Sequence, residues 1–183
     1  MNNYLSSILK QFEHYKSLGD KTFEQLDFEE LKKEFAKDSN SISIIIKHLT
    51  GNMLSRWTNF LTEDGEKKWR HRDEEFIDTF SNKNEILNTW NKGWVCLFEA
   101  MKSLKTKDLE QLIYIRNQGH TITEAISRQL SHYAYHVGQI VFLGKLIKGK
   151  DWKSLSVLKG ESSNYNKEKF RIEKSKRHFT DDL

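Results

Sequence analysis

The chain contains no proline in 183 residues and only nine glycines. Proline ends or kinks a helix because its ring removes a backbone donor and clashes with the preceding turn. Glycine is the other residue that commonly interrupts helices. A chain that lacks the first and has little of the second can form long, unbroken helices. Its length corresponds to about one domain with a single substantial core.

Apolar residues recur at helical spacing in four long stretches. The stretches run from about Asn3 to Leu18, from Asn40 or Ser41 to about Leu61, from about Asn82 to Leu104, and from Thr121 to about Lys148. The last one opens with Thr121-Ile-Thr-Glu124, which matches a capping box, and Gly149 offers a stop. The sequence therefore predicts an all-α fold: a four-helix bundle with a long polar crossover, residues 62–80, between helices 2 and 3.

The remaining segments are shorter or polar. Phe23–Phe35 is predicted to form a short connecting helix, and Leu112–Ile115 is compatible with an extended segment. Residues 1–150 are predicted to form the bundle. Residues 151–183 are predicted to form a polar tail that drapes over the body or stays mobile.

Composition limits the classes of function. The net charge is +4, but residues 145–183 hold eleven Lys/Arg against six Asp/Glu, while residues 1–144 hold nineteen against twenty. A basic tail on a neutral body argues against nucleic-acid binding, which usually needs a basic folded face. The single Cys96 suits a reducing compartment, and no signal peptide or membrane-spanning run is visible. A soluble cytoplasmic protein is expected.

Two histidines offer the clearest chemistry. His132 and His136 are four residues apart in a predicted helix, so they lie on one face and could reach one metal ion. His48, on helix 2, is a third nitrogen donor that could complete a site with an open position. Hydrogen-bonded or solvent-exposed histidines are the alternative explanation. The intervening residues lack the glutamate of a zinc-protease His-Glu-x-x-His helix, so that mechanism is not expected.

Two dense blocks of sequence resemble a known family. Ile46-Lys-His48-Leu-Thr-Gly-Asn52 and Gln129-Leu-Ser-His132-Tyr-Ala-Tyr-His136-Val-Gly-Gln139-Ile are similar to the DinB-like superfamily of metalloenzymes. The segments from Gly51 to Glu66 and from Trp69 to Phe76 resemble a narrower, uncharacterised subgroup. The resemblance covers residues from about 1 to 160.

The resemblance implies an up-down-down-up four-helix bundle in which His48, His132 and His136 hold a divalent metal. Imidazole ligands suit zinc or nickel. Relatives of this kind include transferases that depend on low-molecular-weight thiols and an isomerase that uses mycothiol, and they are often homodimers. Exposed aromatic residues in the crossover, chiefly Trp69 and Phe76, suggest self-association; helix packing within one subunit is the competing explanation for the same residues.

Two functional hypotheses remain open at this point. In the first, the protein is a metal-dependent enzyme acting on a small molecule, as a thiol S-transferase or a hydrolase. Asn52 and Arg56, one and two turns beyond His48, would then line the pocket, and Arg56 would bind either a substrate carboxylate or a carboxylate of the protein. In the second, the protein is a non-catalytic metal-binding or stress-related bundle.

Overall fold

The computed structural model describes residues 3–181 and is mostly helical. Six α-helices and one two-stranded antiparallel sheet occur in these residues. The helices are α1 (Asn3–Phe23), α2 (Phe28–Leu31), α3 (Ile42–Trp57), α4 (Lys83–Ser103), α5 (Ile122–Lys148) and α6 (Ser162–Phe170); the strands are β1 (Leu112–Ile115) and β2 (Gln118–Thr121). The prediction of a mainly helical chain without a substantial sheet is confirmed over the described residues.

Polar residues begin the long helices at the positions that the sequence indicated. The side chains of Ser41 and Asn82 each accept a hydrogen bond from a backbone N–H in the first turn of α3 and α4. Thr121 and Glu124 form the predicted capping box at the start of α5. Each cap satisfies backbone donors that the first turn leaves free, so the helix starts are well defined.

The four long helices, α1, α3, α4 and α5, surround one apolar core. Helix α3 packs against α4 and α5, and α1 packs against α5 and α4. At the centre, the ring of Trp94 meets Phe12, Trp90 and Tyr133 edge to face, with centroid separations of 5.2–6.4 Å. Because Tyr133 is fully buried in this cluster, it fixes the rotation of α5 about its own axis.

The ends of two helices differ from the prediction. Helix α3 was expected to reach Leu61 but ends at Trp57, because Thr58 has an extended backbone (ψ 123°) and Asn59 a left-handed one (φ 49°). Helix α1 was expected to end at Leu18 but continues to Phe23, whose ring is buried against Trp90.

The predicted connecting helix Phe23–Phe35 is reduced to the single turn of α2. Asp27 and Glu30 form a capping box there, which starts a new helix instead of extending α1. The segment that follows is largely irregular, and Asp38 has a positive φ of 64°.

A β-hairpin joins α4 to α5 and contacts the crossover between α3 and α4. The predicted extended segment is β1, which pairs with β2 around a tight turn at Arg116 and Asn117. Both turn residues have positive φ, 56° and 60°, which matches the twist of a two-residue hairpin. Their backbone N–H groups each donate to the carboxylate of Asp64 at 2.8 Å. Asp64 therefore fixes the hairpin turn to the crossover.

The tail contains a helix that the sequence did not predict, α6, which has no buried residues. Beyond it, the chain returns to α1. His178 lies 3.0 Å from the Ser7 hydroxyl, Asp181 forms an ion pair with Lys10, and Phe179 contacts the ring of His14. The end of the described tail thus drapes over the body. Among residues 3–181, every helix is too short or too polar to cross a membrane.

Candidate metal centre

His48, His132 and His136 converge between α3 and α5. One nitrogen of each ring lies within 4.8 Å of the other two, and the Nε2 atoms of His48 and His132 are 3.4 Å apart. Two nitrogens bound about 2.0–2.1 Å from one tetrahedral metal would lie roughly 3.3 Å apart. The donor set and its spacing therefore fit a single transition-metal ion.

Helix geometry explains this convergence. Tyr133 and Val137, each one residue beyond a histidine, are fully buried and turn one face of α5 into the core. His132 and His136 consequently lie at the inner edge of that face, one turn apart. His48 is itself buried on α3, with 7% of its surface exposed.

Hydrogen bonds orient two of the three rings. The Nδ1 atom of His48 lies 3.0 Å from a carboxylate oxygen of Glu75, and Nδ1 of His136 lies 2.8 Å from the side-chain oxygen of Gln139. Both partners are acceptors, so Nδ1 carries the proton and Nε2 keeps its lone pair in each ring. This tautomer is the one that a metal bound at Nε2 requires.

Glu75 is held in place from two sides. Arg70 donates two hydrogen bonds to its carboxylate, at 2.7 and 2.9 Å. On the other side lies Gly51 of α3, where an added Cβ would come within 2.1 Å of the carboxylate. The absence of a side chain at Gly51 is therefore what lets Glu75 approach the helix and reach His48.

The electrostatics of the site favour neutral imidazoles. Burial, followed by the neighbouring His136, His48 and arginines, lowers the pKa of His132 to about 3. Burial also lowers the pKa of His136, although the hydrogen bond to Gln139 opposes that effect. Neutral imidazole is the form that binds metal ions, so both rings are ready for binding at neutral pH.

The Glu75 carboxyl stays ionised although it is buried. Burial alone would raise its pKa, but hydrogen bonds from His48 and Arg70 and the Arg70 charge outweigh burial, and its pKa lies below the usual range. Glu75 is therefore an anion at neutral pH and accepts a hydrogen bond from the Nδ1–H of His48.

A cavity of about 250 Å³ opens beside the histidines. His48, Asn52, Gln129 and His132 contribute to its wall. The remaining lining residues are all arginines: Arg56, Arg70, Arg72, Arg116 and Arg128. Two of the three candidate ligands, His48 and His132, thus border a pocket that is also lined by five arginines.

Both predicted pocket residues line this cavity, and each also has a structural partner. The Asn52 side-chain oxygen accepts a hydrogen bond from the Tyr133 hydroxyl at 3.1 Å. The Arg56 guanidinium bonds to the backbone oxygen of Gly65 and to the Glu66 carboxylate, the latter at 3.1 Å. For Arg56, the alternative of pairing with a protein carboxylate is therefore the one observed.

Sequence reasoning missed the residues that support the site. Glu75 lies 27 positions after His48, and no local pattern links the two. Gln139 was visible in principle, because a position three residues after His136 lies on the same helical face. The other histidines, His14, His71, His120 and His178, lie outside the cluster.

A family model matches residues 1–161 of the chain. Its description is a protein of unknown function, DUF1572. The chain belongs to this family. The matched region contains the three histidines, Glu75 and Gln139, and it ends before α6.

Comparison with solved structures supports the fold. A protein described as the conserved protein of a locus from Enterococcus faecalis aligns with a TM-score of 0.62 at 16% identity, over 82% of this chain and 99% of that chain. At this level of identity the likeness concerns the fold alone. No curated protein matches this member of the family.

Proposed function

We propose that this protein is a metal-dependent enzyme that acts on a small molecule, with a low-molecular-weight thiol as its cosubstrate. One observation carries the proposal: three histidine nitrogens face one another, and two of these rings, His48 and His132, line a cavity of about 250 Å³. Structural metal sites usually have four protein ligands, whereas catalytic sites keep a position open. Three ligands beside a cavity match the catalytic arrangement.

The metal is proposed to be zinc or nickel, held by His48, His132 and His136, because imidazole suits both ions. When bound, such an ion supplies Lewis acidity, which lowers the pKa of a coordinating thiol or water towards neutrality. Glu75 and Gln139 keep protons at Nδ1 of their histidines and thereby hold the rings in the binding orientation.

Among the described residues, none that lines the cavity is a carboxylate that could serve as a general base. Glu75 is occupied by His48 and by Arg70. A thiol is a suitable nucleophile for such a site because, once deprotonated, it needs no base. It would attack an electrophilic carbon to form an S–C bond, and the leaving group would depart with its electron pair.

The same proposal places the chain in the DinB-like superfamily, with α1, α3, α4 and α5 as the up-down-down-up four-helix bundle. Its homodimer is proposed on the exposed crossover rings of Trp69 and Phe76, which are 51% and 40% exposed. Phe76 also stacks on the His48 ring within the subunit. Light scattering that gives the 21.7 kDa mass of one chain at micromolar concentration would contradict the dimer.

The metal site is tested by binding. Protein without a histidine tag is freed of metal, and the affinity for zinc and nickel is measured by calorimetry. His132→Ala should weaken binding severely because it removes one of three ligands. His14→Ala is the control, since that ring packs against Tyr15 and Phe179 instead. Equal affinities in the two variants would contradict the site.

Catalysis is tested separately with metal-loaded protein. Bacillithiol, mycothiol or glutathione is added together with a reactive electrophile, and the loss of thiol is followed. The rate should exceed the uncatalysed rate and return to background in His136→Ala. If metal binds but no thiol is consumed, and the thiol leaves a cobalt-substituted spectrum unchanged, the non-catalytic metal-binding function replaces this proposal.

A further inference from the structure

We infer that the cavity beside the histidine cluster binds a small molecule with at least two negative charges, of the phosphate or carboxylate class, through Arg72, Arg116 and Arg128. The inference deepens the proposed function, on which it rests for the role of the cavity as a substrate site. The substrate class follows from the arginine charges of the pocket that the internal ion pairs leave unmatched.

Two of the five lining arginines are neutralised within the protein. The Arg70 guanidinium forms a two-bond pair with Glu75, and Arg56 bonds to Glu66 at 3.1 Å. Both arginine side chains are almost completely buried. Arg56 bonds from α3 to the crossover, whereas Arg70 and Glu75 pair within the crossover. The charges of both arginines are therefore already matched.

The other three arginines retain most of their binding capacity. Within the described residues, Arg72 has no side-chain partner, and Arg128 has only a contact of 3.3 Å with the ring of His120. Arg116 reaches Glu66 at 2.9 Å, but its side chain is 56% exposed, and exposed pairs contribute little free energy. Glu66 is also shared with Arg56 and Arg70, so one carboxylate faces three guanidinium groups.

These three arginines come from three separate elements. Arg72 begins the short 3-10 turn of the crossover, Arg116 lies in the hairpin turn, and Arg128 is on α5. All three line one cavity. Guanidinium groups bind phosphate and carboxylate through paired N–H donors, and several of them around one cavity favour a multiply charged anion.

The wall also contains polar atoms whose hydrogen-bonding capacity is unused. The side-chain oxygen of Gln129 and Nε of Arg56 are buried without a hydrogen-bond partner. Gln129 has only 3% of its surface exposed. Unpaired buried polar groups are costly and rare, and both of these residues belong to the wall of the cavity.

The shape of the site favours a small anion over a nucleic acid. The arginines line a concavity of about 250 Å³, below the usual volume of about 300–1,000 Å³ for drug-sized ligands. Residues 1–144, which form the body around it, hold nineteen Lys/Arg against twenty Asp/Glu. A polynucleotide would instead require a basic face along its backbone.

The test measures anion binding to metal-free protein, so that chelation of the metal cannot contribute. After removal of the chelator, inorganic pyrophosphate and citrate are titrated separately by calorimetry at low ionic strength. These two probes distinguish a phosphate ligand from a carboxylate ligand. Saturable binding of at least one probe is expected, and it should weaken with added salt.

The matched variants assign the binding to the cavity. Arg72→Gln/Arg128→Gln should raise the Kd about 10–100-fold, since bonds to charged groups are lost at two exposed positions. Arg171→Gln, exposed in the tail, removes a positive charge elsewhere and should change the Kd less than about twofold. Unchanged circular dichroism would show that the variants are folded.

Absence of saturable binding by both probes, equal affinity of the double variant and the wild type, or binding of a single-stranded oligonucleotide alone would overturn the inference. Its failure is distinguishable from failure of the metal-enzyme proposal. Cobalt binding should be intact in the arginine double variant, whereas His136→Ala, whose ring is not part of the cavity wall, should lose cobalt but retain pyrophosphate or citrate. Arginine-dependent anion binding in a protein that binds no metal would support the inference while the proposed enzyme fails.

Discussion

At the scale of single residues, the site depends on a chain of contacts from Arg70 through Glu75 to His48. The bonds in this chain are 2.7–3.0 Å long, and its members are almost completely buried. Because the carboxylate accepts from Nδ1 of His48, it both sets the tautomer and turns the ring.

Replacement of Glu75 tests this chain. Glu75→Gln keeps the size of the side chain but removes the negative charge that binds Arg70 and His48. We expect the affinity for zinc to fall about 10–100-fold, as measured by competition with a chelating dye. Glu74→Gln is the control, because Glu74 is exposed and adjacent in sequence. Equal losses in the two variants would show that Glu75 does not orient the ligand.

The sequence allowed prediction of the three histidines but not of their partners. His132 and His136 share a face in any α-helix, so their proximity follows from spacing alone. Glu75 lies in the short 3-10 turn Arg72–Phe76 of the crossover, where Arg70 holds its carboxylate. Such contacts come from tertiary packing, and no periodic pattern encodes them.

At the scale of elements, one small residue allows the crossover to approach α3 closely. Gly51 leaves room for Glu75, and the 3-10 turn Arg72–Phe76 packs directly on this helix. The helix therefore gives up the higher helical propensity of a larger residue at this point to admit the carboxylate.

An alanine at Gly51 should push the 3-10 turn Arg72–Phe76 away from α3. Its Cβ would lie 2.1 Å from the carboxylate oxygen of Glu75, so the side chain would have to move and the bond to His48 would break. We expect Gly51→Ala to weaken zinc binding at least about tenfold.

Gly138→Ala on α5 is the matched control. A Cβ there meets no atom within 4 Å, so this variant should gain about 0.5–1 kcal/mol of stability from helical propensity and bind zinc normally. Calorimetry of zinc binding and urea unfolding report the two effects. Normal zinc affinity in Gly51→Ala would show that Glu75 has another position from which it supports His48.

The ends of the long helices were predicted less accurately than their presence, because an end can depend on a single residue that no periodic pattern marks. Ser41 and Thr121 are local caps, and both were identified from the sequence. The end of α3 depends on Asn59, a single left-handed residue, while apolar residues continue to Leu61. Periodicity alone could not distinguish a helix from the irregular chain that packs beside it.

At the scale of the whole molecule, the site is built where the core ends and the charged pocket begins. The core side of α5 is fixed by Tyr133, whose hydroxyl accepts from Trp57 at 3.0 Å and donates to Asn52. One turn of this helix thus joins the core to the histidine pair. Because imidazole rings are buried at this boundary, the free energy of unfolding should depend on pH.

The stability of metal-free protein should therefore fall in mild acid. The pKa of His132 is about 3 in the folded chain, because of burial and then neighbouring positive groups, against about 6.5 when unfolded. A lowered histidine pKa means that the unfolded state binds more protons below pH 6.5, so stability is lost as pH falls from about 6.5 towards 3. Between pH 7.5 and 5, His132 should contribute about 1 kcal/mol to this loss, less than full burial would give because the ring is partly exposed.

Urea unfolding at pH 7.5 and pH 5 measures this contribution. His132→Gln should show a smaller drop in unfolding free energy between the two values than the wild type does. His71→Gln, at an exposed position, is the control and should reproduce the wild-type drop. The choice of pH 5 keeps most carboxyl groups ionised, so the histidines dominate the change. If His132→Gln lost as much stability as the wild type, the imidazole of His132 would not be held neutral by the packing between α3 and α5.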